Sequence, residues 1–226
     1  MKLSIVIAVL NSHEIVRRQL LHFASMVLPD DVELILVDDG SNPPLPYPNN
    51  YMKNLRFLRT YDTRPWTQPT ARNMGVEVAH GDYVLCTDID HIVPSETIDA
   101  VLETPYDVVR FRRYVATLDE SGRIADDAGT LAQYGYHHAK RRISAHGNSY
   151  AIRRDLFLKL GGSQQKASYP NRDEVPLKRT LKTMAARGEV SIIPADERPP
   201  IYLIPNGRHA GDRNADPLGL FHGLQR

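Results

Sequence analysis

Leu3-Ser4-Ile5-Val6-Ile7-Ala8-Val9-Leu10 is a short, β-branched and almost continuously apolar run. A run of that length without polar alternation fits a strand covered on both faces, as in a parallel sheet. Ser12 stands where a helix cap is wanted, and Ile15, Val16, Leu20 and Phe23 follow at roughly helical spacing. Val32 to Val37 is a second apolar strand, cut off by Asp38-Asp39-Gly40-Ser41. The chain therefore opens β-α-β, and the right-handed crossover makes the two strands parallel neighbours.

Residues 42–50 form a proline-rich loop, and Leu55 to Arg59 reads as a short third strand. Thr70 to Ala79 predicts a helix with Gly81 near its end, Tyr83 to Thr87 another buried strand, and Pro94 to Leu102 a helix with proline at its start. Val108 to Arg112 predicts one strand. Residues 119–148 are polar and irregular. Tyr150 to Ile152 resumes the strand pattern, and Arg154 to Leu160 is a helix stopped by Gly161-Gly162. Pro176 to Arg187 is a helix closed by Gly188, and Val190 to Ile193 and Ile201 to Ile204 are short strands. The last twenty or so residues, rich in Gly, Pro and Asn, suggest a mobile or ligand-ordered flap. The expected architecture is α/β, with a mostly parallel nucleotide-binding half (1–105), a more mixed second half (106–205) and the tail 206–226, all in one domain. In such sheets ligands sit beyond the carboxyl ends of the strands, where the two acidic pairs fall.

Composition narrows the class. With 42% hydrophobic and 24% charged residues in 226, the chain is an ordinary globular one, neither disordered nor collagenous. A single cysteine, Cys86, excludes an internal disulfide and a multi-cysteine zinc site. No run reaches the roughly 18 apolar residues of a membrane helix, and the apolar start lacks a small-residue cleavage site. The expectation is a cytoplasmic protein, with peripheral membrane contact left open. The charge is asymmetric: residues 1–100 carry 8 Lys and Arg against 13 Asp and Glu, and the remainder 20 against 14. An acidic first half and a basic second half point to different ligands for each.

Asp88-Ile89-Asp90 is the first constellation with chemistry in it. Carboxylates at i and i+2 on an extended backbone point the same way and repel unless a cation accompanies them. Oxygen ligands of that kind suit Mg²⁺ or Mn²⁺ shared with a diphosphate; the plain alternative is a solvated turn. Asp38-Asp39 offers a turn before glycine, or an acceptor for a nucleobase N–H. Arg72, near a helix start, can meet a diphosphate or the acidic pairs, or lie on the surface.

Taken in order, Ser4-Ile5-Val6-Ile7 to Asn11, Val37-Asp38-Asp39-Gly40-Ser41, Ala71-Arg72-Asn73-Met74-Gly75, Gly81-Asp82-Tyr83-Val84 leading into Asp88-Ile89-Asp90, and Gly147-Asn148-Ser149-Tyr150 through Leu160-Gly161-Gly162 resemble the GT-A glycosyltransferases of the inverting family 2 type. The resemblance covers 1–162 well and 163–188 weakly. It implies a nucleotide-diphosphate sugar donor, UDP-linked, and Mn²⁺ or Mg²⁺. It makes Asp39, with Asp38 beside it, the contact to the donor's base, Arg72 a donor-side arginine, Asp88 the ribose- or water-linked acid and Asp90 the direct metal ligand. Ala8 and Asn11 stand in the family's first turn, where Val9 replaces a hydroxyl or proline. The family's Phe-Asp-Glu after Gly-Gly is absent, since Ser163-Gln164-Gln165 follows Gly161-Gly162. Asp173 or Glu174 then fits the general base. His209, with His222 as a weaker alternative, fits a late metal or diphosphate contact, His91 adjoins the acidic pair, and Trp66 could stack on a base or sugar.

Arg110, Arg112, Arg113, Lys140, Arg141, Arg142, Arg153 and Arg154 make the second half basic. They form either a solvated surface or a site for an acidic acceptor, such as a lipid-linked phosphate, an anionic glycan or, as a lesser alternative, modified DNA. Two other readings remain: a non-catalytic nucleotide- or glycan-binding relative, and a sugar nucleotidyltransferase, which would want a glycine-rich loop that Ala8 to Glu14 lacks.

Overall fold

A computed structural model describes residues 2–46, 52–62, 64, 67–136, 142–145, 147–164 and 174–205. In chain order the elements are β1 (Leu3–Val9), α1 (His13–Ser25), β2 (Val32–Asp38), β3 (Leu55–Arg59), α2 (Gln68–Val78), β4 (Tyr83–Asp88), β5 (His91–Ile92), α3 (Ser95–Leu102) and β6 (Val108–Arg110). There follow β7 (Arg112–Val115), β8 (Thr117–Leu118), β9 (Ile124–Ala125), α4 (Ala128–Gln133), β10 (Arg142–Ile143), β11 (Tyr150–Arg153), α5 (Arg154–Lys159), α6 (Glu174–Ala186) and β12 (Pro200–Leu203).

The main sheet has the order β3-β2-β1-β4-β11-β6. β1 to β4 run parallel to their neighbours, and β11 is antiparallel to both β4 and β6. This is the expected α/β architecture with a mostly parallel sheet. Every residue of β1 and of β2 is buried, because helices cover both faces. Leu3, Ile5, Ile7 and Val9 pack with Ile15, Val16, Leu20 and Phe23 of α1, whereas Val6 and Ala8 pack with Ala71 and Val76 of α2. The period of two in the strand thus divides one apolar run between two cores. A second sheet, β10-β7-β12-β5, stands beside the first, and β8-β9 forms a small hairpin against α1.

Several boundaries differ from the pattern. The expected strand Val108 to Arg112 is two strands in two sheets. Val108–Arg110 pairs with β11, Phe111 turns into the core, and Arg112 N–H donates to Pro199 O to begin β7. Val190 to Ile193 makes only one isolated parallel bridge, Val108 to Ile192. The expected helix at Thr70 begins two residues earlier, at Gln68, with Pro69 in its first turn. Ser12 holds the N-cap position of α1 without capping by its side chain; its hydroxyl donates to Leu10 O at 2.7 Å. The segment 119–148, read as irregular, contains β9, α4 and β10, elements too short to leave a periodic signal.

Candidate functional site

The carboxyl ends of β1, β2 and β4 lie side by side, with Ala8 registered between Val37 and Asp88. Each strand ends in a turn carrying polar side chains, so the acidic pairs face one crevice as the crossover geometry requires.

On the β2 side the two aspartates divide the work. Asp38 is fully buried. Its carboxylate accepts Ser41 N–H at 2.9 Å, Leu45 N–H at 3.1 Å and Arg59 Nε–H at 3.0 Å. It folds the loop that follows it. Asp39 donates its N–H to Val9 O at 2.7 Å, which locks it to the end of β1. Its Oδ1 accepts the hydroxyls of Thr67 at 2.7 Å and Thr60 at 3.3 Å. Asn11 adopts φ 48°, a left-handed conformation that Asn tolerates. From there its N–H reaches Ser41 Oγ at 2.9 Å, and its Oδ1 accepts Asn42 N–H at 2.8 Å. The first turn is thereby stitched to the second.

On the β4 side, Gln68 and Arg72 sit four residues apart on α2 and so share a face. Both reach Asp88 Oδ1, from Gln68 Nε2 at 2.6 Å and Arg72 Nη2 at 3.1 Å. Arg72 is fully buried, so the surface reading of this arginine is overturned. A guanidinium removed from water demands a charged partner, and Asp88 supplies it. Beyond Asp88 the chain turns through Ile89 into β5. Asp88, Asp90 and His91 there present ligand atoms that all lie within 4.8 Å of one another. Two carboxylates and an imidazole so placed are a donor set that could hold a divalent cation. Arg113 of β7, in the same second sheet as β5, approaches the cluster at His91. Burial pushes its guanidinium down from its usual range, while Asp90, Tyr136 and Asp88 hold it up.

The profile of the "Glycosyl transferase family 2" domain matches residues 4–157. The chain belongs to glycosyl transferase family 2.

The matched span includes every site element from β1 to β11. A curated relative, the "Poly(ribitol-phosphate) beta-glucosyltransferase" of Bacillus spizizenii, is 34% identical over 104 residues, 43% of this chain and 16% of that protein. Among solved structures, S. aureus TarS 1–349 in complex with UDP-GlcNAc superposes with a TM-score of 0.60 at 16% identity, over 93% of this chain and 60% of that one. The mannosyltransferase PcManGT from Pyrobaculum calidifontis in complex with GDP-Man and Mn²⁺ gives 0.53 at 16% identity, over 87% and 55%. This family 2 chain thus spans about 60% of TarS 1–349 and a far smaller part of its curated relative. The shared GT-A fold confirms the architecture expected from the ordered motifs.

Of the site residues expected from sequence, Ala8, Asn11, Asp38, Asp39, Arg72, Asp88 and Asp90 are brought to the ends of the same strands. Asp173, His209, His222 and Trp66 lie outside the described residues, as does the side chain of Glu174, the first residue of α6. Sequence reasoning left Gln68 and Thr67 unmarked, and placed Arg113 only in a general basic set. Gln68 had a usable signal, since it lies about one helical turn before Arg72, and Thr67 is the N-cap residue of the same helix. Arg113 had none: its approach depends on the pairing of the second sheet.

Proposed function

We propose that this family 2 domain transfers a sugar from a UDP-linked donor to an acceptor hydroxyl, with inversion at the anomeric carbon. The observation that carries this reading is the convergence of Arg72, Asp88, Asp90 and His91 beyond β4, beside the buried Asp39 beyond β2. Asp39 accepts from the base of the donor, and the turn from Ala8 to Asn11 forms the floor beside it. Arg72 pairs with Asp88 and holds it at the end of β4. Asp88 and Asp90 hold Mn²⁺ or Mg²⁺, which when bound would neutralise the departing nucleoside diphosphate. Asp173 or Glu174 takes the proton from the acceptor hydroxyl. The hydroxyl oxygen then attacks the anomeric carbon as the bond to the diphosphate breaks. His209 serves as a late contact to the metal or the diphosphate. TarS with UDP-GlcNAc and PcManGT with GDP-Man and Mn²⁺ support a nucleotide-sugar and metal site on this fold.

The acceptor is an anionic, phosphate-bearing polyol or glycan. The excess of Lys and Arg after residue 100 supports this, as does the poly(ribitol-phosphate) in the name of the curated relative. Among the described residues no helix is long and apolar enough to cross a membrane.

Thermal unfolding with UDP, GDP, CDP or dTDP, each with and without Mn²⁺, tests the donor site in the parent and in Asp90→Ala. Ligand at 100 times its dissociation constant stabilises by about 2.7 kcal/mol. A Mn²⁺-dependent shift with UDP, lost in Asp90→Ala, is expected. No shift with any diphosphate would reduce the reading to the fold alone.

A further inference from the structure

Tyr61 combines two features that packing does not explain. It is 79% exposed, and its backbone stands at φ 56°, the left-handed region that a bulky residue enters only at a cost. Strain of that kind gathers at ligand sites, where the surrounding structure holds it in place. The surroundings here are the end of β2. β3 runs parallel to β2 with Arg59 registered on Asp38, so Tyr61 leaves the sheet beside the acidic pair. Thr60 donates its N–H to Asp38 O at 2.9 Å and its hydroxyl to Asp39 Oδ1 at 3.3 Å. Arg59 donates to Asp38 Oδ2 at 3.0 Å and to Leu45 O at 2.6 Å, and its guanidinium lies 5.7 Å from the centroid of the Tyr61 ring. An anchored cation thus steadies the ring, while most of the residue stays open to solvent.

We infer that Tyr61 binds the nucleobase of the donor by stacking, beside the Asp39 carboxylate that accepts from the edge of the same base. This rests on the donor site proposed above. Residues 10–12, 39–46 and 89–90, which follow β1, β2 and β4, contain no aromatic side chain, so β3 supplies the ring that this end of the sheet otherwise lacks. The two residues then divide recognition between them. Every base has a π-face, so a stacking ring adds affinity with little choice among bases. A carboxylate chooses: uracil carries an N–H at ring position 3, where cytosine carries a lone pair that would repel it. Loss of the ring therefore weakens every nucleotide alike and leaves the preference set by Asp39 unchanged.

Titration calorimetry with UDP, CDP and inorganic pyrophosphate, each with Mg²⁺, tests this in the parent, Tyr61→Phe and Tyr61→Asn. Tyr61→Phe keeps the ring and should bind UDP within about threefold of the parent. Asparagine tolerates the left-handed backbone, so Tyr61→Asn should unfold at a midpoint no lower than the parent's. It should lose about 5- to 100-fold in affinity for UDP, lose the same factor for CDP, and bind pyrophosphate as the parent does. Unchanged UDP binding in Tyr61→Asn would overturn the stacking role and leave the donor site intact. A loss confined to UDP would overturn it in favour of a support for Asp39, and a loss shared with pyrophosphate in favour of a general structural effect. A parent that binds none of the three ligands would overturn the inference together with the donor site.

Discussion

Asp38 and Asp39 are adjacent, acidic and buried, yet they are not equivalent. Asp38 is enclosed by two backbone N–H groups and Arg59, which leaves it a structural part of the loop after β2. Asp39 takes two threonine hydroxyls on one oxygen at the mouth of the crevice. Asp38→Asn turns one acceptor oxygen into a donor facing donors, and leaves Arg59 without its charge partner. Unpairing a buried charge of this kind costs about 3 kcal/mol. Urea denaturation should show that loss. A change within about 0.5 kcal/mol would mean that Asp38 is free to serve the ligand. Sequence could place both acids at the strand end, but only the direction of each side chain separates a loop anchor from a ligand contact.

Helix α1 shows how one element is held from two sides. Glu14 accepts from Arg17 and Arg18 on its own surface, and those arginines also donate to Glu120 O and Leu118 O of the β8-β9 hairpin. Hydrogen bonding to Arg17 is the largest cause lowering the Glu14 carboxyl from 4.5 to about 2. Its folded value lies below its unfolded one, so its stabilising contribution is complete above 4.5 and fades as pH falls towards 2. Further along the helix, His22 points its nitrogens at Gly122 O and Val93 O, at 3.0 and 3.3 Å. Burial is the main cause that lowers it below 6.5. It too favours folding above its unfolded value, and this is lost as pH falls below 6.5. Stability should therefore decline in two steps on acidification, and Glu14→Gln should flatten only the lower one. Because Glu14 remains partly exposed, solvent screening keeps its step small. A chemical denaturation series from pH 8 to pH 3 measures both.

At the scale of the molecule, helix α2 is clamped to the turn that follows α5. Asn73 of α2 donates Nδ2–H to Ser163 O at 2.9 Å, and its Oδ1 accepts Ser163 N–H at 2.9 Å. Gly162 adopts φ +67°, and a Cβ there would stand 2.5 Å from Asn73 Oδ1. Glycine is needed for both the conformation and the approach. Asn73→Ala removes both bonds and leaves two backbone groups unpaired in a partly buried place, a cost of about 1–3 kcal/mol. Amide exchange at Ser163 should quicken and the unfolding midpoint fall. Unchanged exchange would mean that the two halves are held elsewhere.

Sequence by itself determined the central sheet and its chemistry. Short, β-branched apolar runs fit strands covered on both faces, and each ends at a polar turn. That made β1, β2, β4 and β11, the acidic pairs and Arg72 legible, together with the family they belong to. Tertiary structure decided what depends on partners distant in the chain. Phe111 splits one apolar run between two sheets. Arg72 is buried only because Asp88 meets it across 16 residues, and Arg113 reaches His91 only because β12, almost ninety residues later, pairs with both strands. Such contacts leave no local period. They arise when long-range pairing sets the register, and a side chain's role in the site follows from the register rather than from its place in the sequence.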